Sequence, residues 1–505
     1  MHNRVPKCVG MVASSYTIPY LRAIVRELKS RTHCRVVLYS RSESERSGLL
    51  KSSRGEPWDE IVLCEHLPAS LAANIADPDA VVARARGYEA AIGETYQTLG
   101  LDRRQLGRGY SPGGARTPRD PAVAGASYHQ VLHAISEQLA FWEREIEERG
   151  VDLFIDAPKE AAVIARAKGV AWRLLSFGRL ENRCYWSEDE YRRSPGLEAR
   201  FRELADAAPE PVKRSYSAAA TKFERIQVQL TWPAAVKRSL TGIVRMAGKA
   251  MLRQGARAEI VDVALGPIRR MREYSLYRSL ARDVSERLRG SRFVYFPLHK
   301  ELETNWIVTS PEYTSQQAAV MATAAALPAG VLLAIKENLV AVGRRPAGFY
   351  RQLTDLKNVV LLPFEASSLD MQRDALITAC LAGTAAIEAA IIGKPALVFG
   401  RHMIHNFLDH VEVVRDHAQI KPFVECILRG EFDAQKAQRD GRRLLQAMRD
   451  TSFDMGAFVH ESGFDPARLA EIVKPAVDAL LQSMKKERPG GEREAFPSLV
   501  AGSPV

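Results

Sequence analysis

Short apolar runs alternate along the chain with amphipathic stretches, and this alternation predicts strands that are followed by helices. The clearest helix is 129–149, where apolar residues recur every three or four positions and Gly150 supplies a stop. Predicted strands in the first part of the chain lie at 8–13, 34–39, 152–155 and 172–176, with helices at 17–29, 129–149 and 160–168. Strands alternating with helices are typical of a parallel, doubly wound sheet.

The second part of the chain repeats this alternation with more continuously apolar strands. We predict strands at 292–296, 331–336, 358–362, 375–380 and 396–399, and helices at 315–327, 346–353 and 384–392. Continuous apolar strands are what a sheet covered on both faces requires. The chain therefore has two predicted Rossmann-like halves, whose ligands are expected beyond the C-terminal ends of the strands.

The uncharged stretch 318–335 is the one candidate for a membrane span. It is mostly alanine and carries a Leu-Pro-Ala-Gly sequence in its middle, at 327–330. A lipid-facing span needs about 20 strongly apolar residues. A helix, a turn and a buried strand therefore explain this stretch better.

Residues 225–258, between the two halves, contain seven Lys or Arg and no acidic residue. Arg245, Lys249, Arg253 and Arg257 are spaced four apart and so predict a basic stripe along a helix. Two interpretations remain open: an amphipathic helix on an anionic membrane surface, or a connector with a solvated basic face. The predicted division is an N-terminal domain (1–200), a basic helical connector (201–290), a C-terminal domain (291–484) and a disordered tail rich in Pro, Gly and Glu (485–505).

Composition and charge narrow the class of partner. The apolar fraction of 46% and charged fraction of 26% are ordinary for a soluble globular protein, whereas the net charge of +11 favours anionic partners. The six cysteines are far apart and form no CxxC pair, which fits a reducing cytoplasm and indicates neither a disulfide framework nor a zinc site. The histidines of RHMIHNFLDH (401–410) match no strong metal-ligand spacing. We therefore expect no metal and no cofactor, and no nucleic-acid partner because no recognition motif accompanies the charge.

The stretch ACLAGTAAIEAAIIGKPALVFG (379–400) predicts a strand, a tight turn, a short helix and a second strand. A capping box would need Glu or Gln at 387, but Ile387 stands there, and Glu388 instead shares a helical face with Thr384. The helix start offers backbone N–H groups to a phosphate, and the carboxylate of Glu388 suits ribose hydroxyls. The alternative is that Glu388 only complements the helix dipole, which is worth about 0.3–1 kcal/mol.

Two further polar segments follow predicted strands of the second half. YFPLHKELETN places His299, Glu301 and Glu303 after the strand at 292–296. KENLVAVGRRP places Lys336, Glu337, Arg344 and Arg345 after the strand at 331–336, with Pro346 at the first position of the next helix. Arg and Lys at strand ends suit phosphate oxygens. Three such segments at the ends of parallel strands predict one shared ligand site.

The segments YFPLHKELE, IKEN, GRRPAGFYRQLTDLKNV and AGTAAIEAAIIGKPALVFG, in this order, resemble the bacterial capsular-polysaccharide biosynthesis family, which includes the retaining β-Kdo transferases. The match covers about residues 292–400, with weaker similarity in LDRRQLGRGYSPGG and FGRLENRCYWSED of the first half. The resemblance implies a GT-B-like fold: two Rossmann-like domains facing a cleft. It also implies a nucleotide sugar on the C-terminal domain and a glycan or glycolipid acceptor on the N-terminal domain.

Carried over by position, the resemblance implies nucleotide-sugar binding at His299, Glu303, Lys336, Glu337, Gly383, Thr384 and Glu388. One departure is that the His-Pro of the family's KEHP segment is Asn338-Leu339 here. Asn brings no positive charge, so we add Arg344 and Arg345 to the predicted donor-binding residues.

Glycosyl transfer also needs a carboxylate near the anomeric carbon. We predict Asp102 and Glu181 as catalytic residues, the first because it begins a long loop (102–121) with five arginines and four glycines. The alternative for Glu181 is an ion pair with Arg179 or Arg183. Asp156, which follows a predicted strand, is a weaker candidate because a helix-capping role explains it as well.

The sequence thus predicts a cytoplasmic glycosyltransferase at the inner face of the membrane, acting in capsule or surface-polysaccharide biosynthesis with CMP-Kdo or a related acid sugar as donor. Two alternatives keep the fold: a CDP-dependent polyol-phosphate transferase and a UDP-sugar epimerase. A third alternative is a non-catalytic assembly subunit, which Asn338-Leu339 and the basic connector favour.

Overall fold

A computed structural model places two largely parallel α/β sheets in the chain. It describes residues 5–12, 18–51, 56–64, 67–100, 125–178, 181–207, 230–251, 260–282, 284–300, 310, 313, 315–455 and 466–485. The predicted fold class, with two Rossmann-like halves, is confirmed. Within the described ranges, no helix is both long enough and apolar enough to cross a membrane.

The first sheet has seven strands in the order β13-β6-β5-β4-β1-β2-β3. They are β1 (Cys8–Val12), β2 (Arg35–Ser40), β3 (Glu60–Leu63), β4 (Leu153–Ile155), β5 (Ala171–Phe177), β6 (Arg183–Ser187) and β13 (Phe453–Asp454). The first five strands run parallel, β6 is antiparallel to β5, and β13 is antiparallel to β6. The order changes direction between β1 and β4, which lie side by side.

The second sheet has six parallel strands in the order β12-β11-β10-β7-β8-β9. They are β7 (Arg292–Pro297), β8 (Val331–Lys336), β9 (Val359–Leu362), β10 (Ile377–Cys380), β11 (Ala396–Val398) and β12 (Val411–Val413). Here the order changes direction between β7 and β10. In doubly wound sheets the crevice at such a point is where ligands bind.

Helices cover both sheets. In chain order they are α1 (Ile18–Thr32), α2 (Glu43–Lys51), α3 (Leu67–Leu71), α4 (Pro78–Ile92), α5 (Tyr96–Gly100), α6 (Tyr128–Arg149), α7 (Lys159–Lys168), α8 (Pro195–Glu203), α9 (Trp232–Met251), α10 (Ile260–Leu280), α11 (Val284–Leu288), α12 (Gln316–Ala326), α13 (Phe349–Asp355), α14 (Ser368–Asp374), α15 (Thr384–Ile391), α16 (Ile420–Leu428), α17 (Ala434–Thr451) and α18 (Pro466–Lys485). The predicted helix at 129–149 is α6: Ser127 and Gln130 form a capping box at its start, and Gly150, at φ 66°, ends it.

The connector helices pack on the second half. Met271, Tyr274 and Tyr277 of α10 are buried in the core that also holds strands β7 and β8. Of the predicted basic stripe, Arg245 and Lys249 lie on α9, which ends at Met251, whereas Arg253 and Arg257 lie outside the described residues. The predicted tail, 485–505, is also outside them except for Lys485.

The last helix crosses back to the first half. Val473, Val477 and Leu480 of α18 are fully buried against Leu21 and Val25 of α1. Strand β13 joins the edge of the first sheet just before this helix. Strand β13 and helix α18, which apart from Lys485 were predicted to belong to the C-terminal domain, therefore pack with the N-terminal sheet.

Candidate functional site

His299 lies at the switch point of the second sheet, just beyond β7. Its backbone N–H donates to Gln316 Oε1 (2.6 Å), and Gln316 Nε2 donates back to its carbonyl (2.9 Å). Its ring Nε2 accepts a hydrogen bond from the backbone N–H of Ala382, which follows β10 (3.3 Å). The structure thus brings the first and the last of the predicted ligand segments together.

Gly383 lets the histidine ring approach the turn after β10. A Cβ atom at this position would lie 2.5 Å from Cε1 of His299, closer than carbon atoms can pack. Its φ of −139° is ordinary extended backbone, so it is the space beside the ring that requires glycine. Gly383 is also the N-cap of α15, and Thr384 is the first helical residue rather than the cap.

Glu388 and Lys336 both contact α14, which lies between β9 and β10 in the chain. Gln372 Nε2 of α14 donates to Glu388 Oε2 (2.9 Å), and the Glu388 side chain is half-buried. Lys336 Nζ donates to the carbonyl of Ala366 (2.5 Å) and to Ser368 Oγ (3.2 Å), and burial lowers its pKa. The two predicted donor-binding side chains are therefore held by the same short helix.

Glu337 and Arg345 form a buried ion pair beneath this site. The guanidinium donates from Nη2 to Oε1 (2.7 Å) and from Nε to Oε2 (2.8 Å), and both side chains are at most 1% exposed. Tyr350 also donates to Glu337 (2.8 Å), and Arg345 Nη2 donates to the carbonyl of His299 (2.7 Å). The pair therefore helps to fix the backbone of His299. Direct contact of either residue with a nucleotide sugar stays a prediction.

The segment between Glu337 and Arg345 contacts helix α10 of the connector. Arg344 is exposed. The pKa of Arg270 on α10 is lowered mainly by burial of that side chain and further by the positive charge of Arg344. Glu273 of the same helix accepts a hydrogen bond from the N–H of Gly343 (3.0 Å). The predicted helix at 346–353 begins later, at Phe349, because Gly348 at φ 76° is its N-cap, so Pro346 is not its first residue.

Glu181 lies in the turn between β5 and β6, with φ 52°. It accepts hydrogen bonds from Arg449 Nη2 (2.6 Å) and Nε (2.9 Å) of α17, and its side chain is 7% exposed. Arg183 is more distant, at 3.8 Å. The alternative predicted for Glu181, an ion pair, is thus present, but its main partner is 268 residues away in the chain. A catalytic role for Glu181 stays a prediction, and Asp102, Glu301 and Glu303 lie outside the described residues.

A contact between the two halves is formed by Tyr191, which follows β6, and His402: their ring centroids are 4.1 Å apart and their planes 25° apart. His402 follows β11, and burial lowers its pKa to about 4. Tyr191 donates to Glu94 (2.8 Å), which also pairs with Lys159 at the start of α7 (2.7 Å). In the described part of the chain, no three His, Cys, Asp or Glu side chains converge as metal ligands.

Three residues that hold the predicted side chains in place were not predicted from the sequence. They are Gln316, Gln372 and Tyr350, the partners of His299, Glu388 and Glu337. Each is a polar residue within a helix, and its partner lies on another element. No local pattern marks such residues, because the contact exists only after the sheet has formed.

No protein-family model matches this chain, and no curated protein matches it. Solved structures with some similarity include the UDP-GlcNAc 2-epimerase of Neisseria meningitidis bound to UDP-GlcNAc, at 12% identity and a TM-score of 0.26, covering 88% of this chain and 98% of that one. The β-Kdo 2,7 transferase KpsC of Thermosulfurimonas dismutans has 13% identity and a TM-score of 0.27, covering 59% and 79%. A glycosyltransferase of Rickettsia africae has 8% identity and a TM-score of 0.29, covering 95% and 99%. At these values the similarities assign no activity to this chain.

Proposed function

We propose that the chain is a glycosyltransferase that uses a nucleotide-activated sugar. The observation that carries the proposal is the contact of His299 with Ala382 and Gly383, because it joins two predicted donor segments at the switch point of the second sheet. The first turn of α15 has no side-chain cap, so its backbone N–H groups suit a donor phosphate. Glu388, one turn along the same helix, suits the ribose hydroxyls.

The resemblance to the capsular-polysaccharide family supports a narrower proposal. The donor would be CMP-Kdo or a related acid sugar, and the acceptor a glycan or glycolipid at the inner face of the membrane. Asn338, which replaces a histidine of the family pattern, is exposed, and its Oδ1 accepts from the N–H of Val340 (3.0 Å). In this proposal the exposed Arg344 supplies the positive charge that the family's histidine would otherwise bring.

Replacing Glu388 with Gln is expected to weaken nucleotide binding by about tenfold or more, because a hydrogen bond to a charged group is worth about 1.5–3 kcal/mol. Gln keeps a side chain that still bonds Gln372, so the helix contact persists. Calorimetric titration with CMP, CDP and UDP measures the effect and identifies the base. Glu425→Gln on α16 is the matched control, since its only described partners are Lys421 and Arg429 at 3.8 and 4.0 Å.

Two results would refute the proposal. If wild-type protein binds none of the three nucleotides, an enzyme that uses a CMP-, CDP- or UDP-linked donor is excluded. If Glu388→Gln binds as tightly as Glu425→Gln, the site is misplaced. Analysis of the sugar product then separates transfer from epimerisation.

We also propose that α9 docks on an anionic membrane. Its apolar side chains form an exposed stripe at helical spacing: Trp232, Val236, Leu240, Ile243 and Val244. Leu240 is 59% exposed and Val244 72% exposed, although the opposite face of the helix packs on α10. Lys237, Arg238 and Arg245 are exposed on the same helix, and this combination of apolar and basic groups favours anionic lipid.

Replacing Leu240 and Val244 with Asp is expected to lower binding to phosphatidylglycerol-containing vesicles by about tenfold or more, since burying one such side chain is worth about 1.5–3 kcal/mol. Vesicle sedimentation measures it, with pure phosphatidylcholine vesicles as the uncharged comparison. Met321→Asp is the matched control because Met321 is an exposed apolar residue on α12. Equal binding by all three proteins, or no binding by the wild type, would contradict membrane docking.

A further inference from the structure

The first sheet has its own switch point, and it corresponds to the one that holds His299. In the second sheet the crevice opens between β7 and β10, and in the first sheet it opens between β1 and β4. Asp156 is the first residue after β4. It therefore occupies the position in the N-terminal half that the turn after β10 occupies in the C-terminal half.

The backbone at Asp156 is left-handed, at φ 52°. Non-glycine residues adopt this region rarely, and such conformations concentrate at functional sites. The conformation turns the side chain across to β5, where the N–H of Leu175 donates to Oδ1 (2.9 Å). The carboxylate is thus fixed at the edge of the sheet while the residue remains partly exposed.

Charged and titratable groups face Asp156 from four elements: Tyr20 of α1, Arg41 after β2, Cys184 of β6 and Arg192 after β6. Burial raises the pKa of Asp156 to about 6, and the Leu175 N–H, Arg192, Tyr20 and Arg41 oppose that rise. A carboxylate with this pKa is ionised at neutral pH and is a stronger base than an ordinary aspartate.

The same region touches the second half. Arg192 follows Tyr191, whose ring stacks on His402 beyond β11. Lys159, three residues after Asp156, lies 5.6 Å from the centre of the Tyr191 ring. Asp156 is therefore linked through Arg192 to a pair of stacked rings, Tyr191 and His402, that joins the first half to the second. Glu181, by contrast, has both carboxylate oxygens bonded to Arg449.

We propose that Asp156 is the catalytic base of the transfer reaction, an inference that rests on the proposed function. Asp156 takes the proton of the acceptor hydroxyl as that oxygen forms its bond to the anomeric carbon. The bond between the anomeric carbon and the donor phosphate breaks, and its electron pair leaves with the nucleotide phosphate. Water replaces the hydroxyl when the donor is hydrolysed without acceptor, and Asp156 then releases its proton to solvent.

The test uses Asp156→Asn in the full chain, with enzyme-dependent release of CMP from CMP-Kdo and of UDP from UDP-GlcNAc as the assay. Asn tolerates the left-handed backbone and keeps an oxygen for the Leu175 N–H, so the fold is retained. We expect kcat to fall by about 100-fold or more, with nucleotide affinity unchanged. The wild-type kcat should rise with pH and level off above about 6, and the residual activity of the variant should lack this dependence.

Asp152→Asn is the matched control. Asp152 lies at the opposite end of the same strand and also accepts backbone N–H groups, from Lys7 (2.9 Å) and Cys8 (3.0 Å). This variant should keep both kcat and its pH dependence. The melting temperature separates catalysis from structure: because folding raises the pKa of Asp156, its charged form destabilises the fold above about pH 6, so Asp156→Asn should melt no lower than the wild type at pH 7.5.

Three results would overturn the assignment. The first is a kcat for Asp156→Asn within about threefold of the wild type. The second is a loss of kcat with a lower melting temperature and an unchanged pH profile, which is the result of a structural role alone. In the third, wild-type protein releases nucleotide from neither donor, so that the proposed function fails and the assignment fails with it. The first two results leave the proposed function standing.

Discussion

Arg345→Ala is expected to destabilise the protein by about 3–5 kcal/mol, because it leaves the carboxylate of Glu337 buried without its counter-charge. Both side chains are almost fully buried, and water that enters the space left by the guanidinium supplies no positive charge. The substitution also removes the donor to the carbonyl of His299. Urea unfolding followed by circular dichroism should show a lower midpoint than that of the wild type.

The double variant Glu337→Gln/Arg345→Ala provides the control for this prediction. Gln still accepts from Tyr350 but carries no charge, so the double variant should be more stable than Arg345→Ala alone. A loss of stability below about 1 kcal/mol, combined with a loss of nucleotide binding, would instead identify Arg345 as a direct donor contact.

Gly383→Ala is expected to lower kcat/KM by up to about 100-fold, since a displacement of about 1 Å at a reacting site costs this much. The new Cβ would lie 2.5 Å from the ring of His299, and the ring has to leave the N–H of Ala382 to make room. Kinetics of nucleotide release measure the effect. Gly87→Ala on α4 is the matched control because nothing lies within 4 Å of its added Cβ.

The collision with His299 makes a double-mutant cycle decisive. If the collision is the cause, Gly383→Ala should have no further effect in a His299→Ala background, which has room for the methyl group. An equal loss in both backgrounds would show that Gly383 acts through the start of α15 and not through His299.

The sequence was sufficient for the parallel strands that carry the site. Strands β7 and β8 are continuous apolar runs, and such runs are constrained by burial on both faces, so the predicted ranges 292–296 and 331–336 agree with the structure. The sequence also predicted that the segments of His299 and Gly383 lie close together, because the carboxyl ends of neighbouring parallel strands lie at one edge of a sheet.

Other features depend on contacts that no local pattern records. Strand β13 has two residues and forms only against β6, which precedes it by more than 260 residues. Helix α14 is polar in sequence and is positioned partly by the buried Gln372. The nearest partner of Glu181 is Arg449 on α17, which was not predicted, although the predicted ion pair with Arg183 is also present at 3.8 Å. These three features are determined by packing between distant parts of the chain and not by local propensity.

The return of α18 to the first sheet has a consequence for any attempt to divide the protein. A fragment ending near residue 290 would lack both β13 and α18, and the apolar side of α1 that they cover, including Leu21 and Val25, would face water. The first half can be isolated only if β13 and α18 are reattached to it. The first half of this molecule is therefore discontinuous in sequence, and a fragment library cut at single points would not recover it intact.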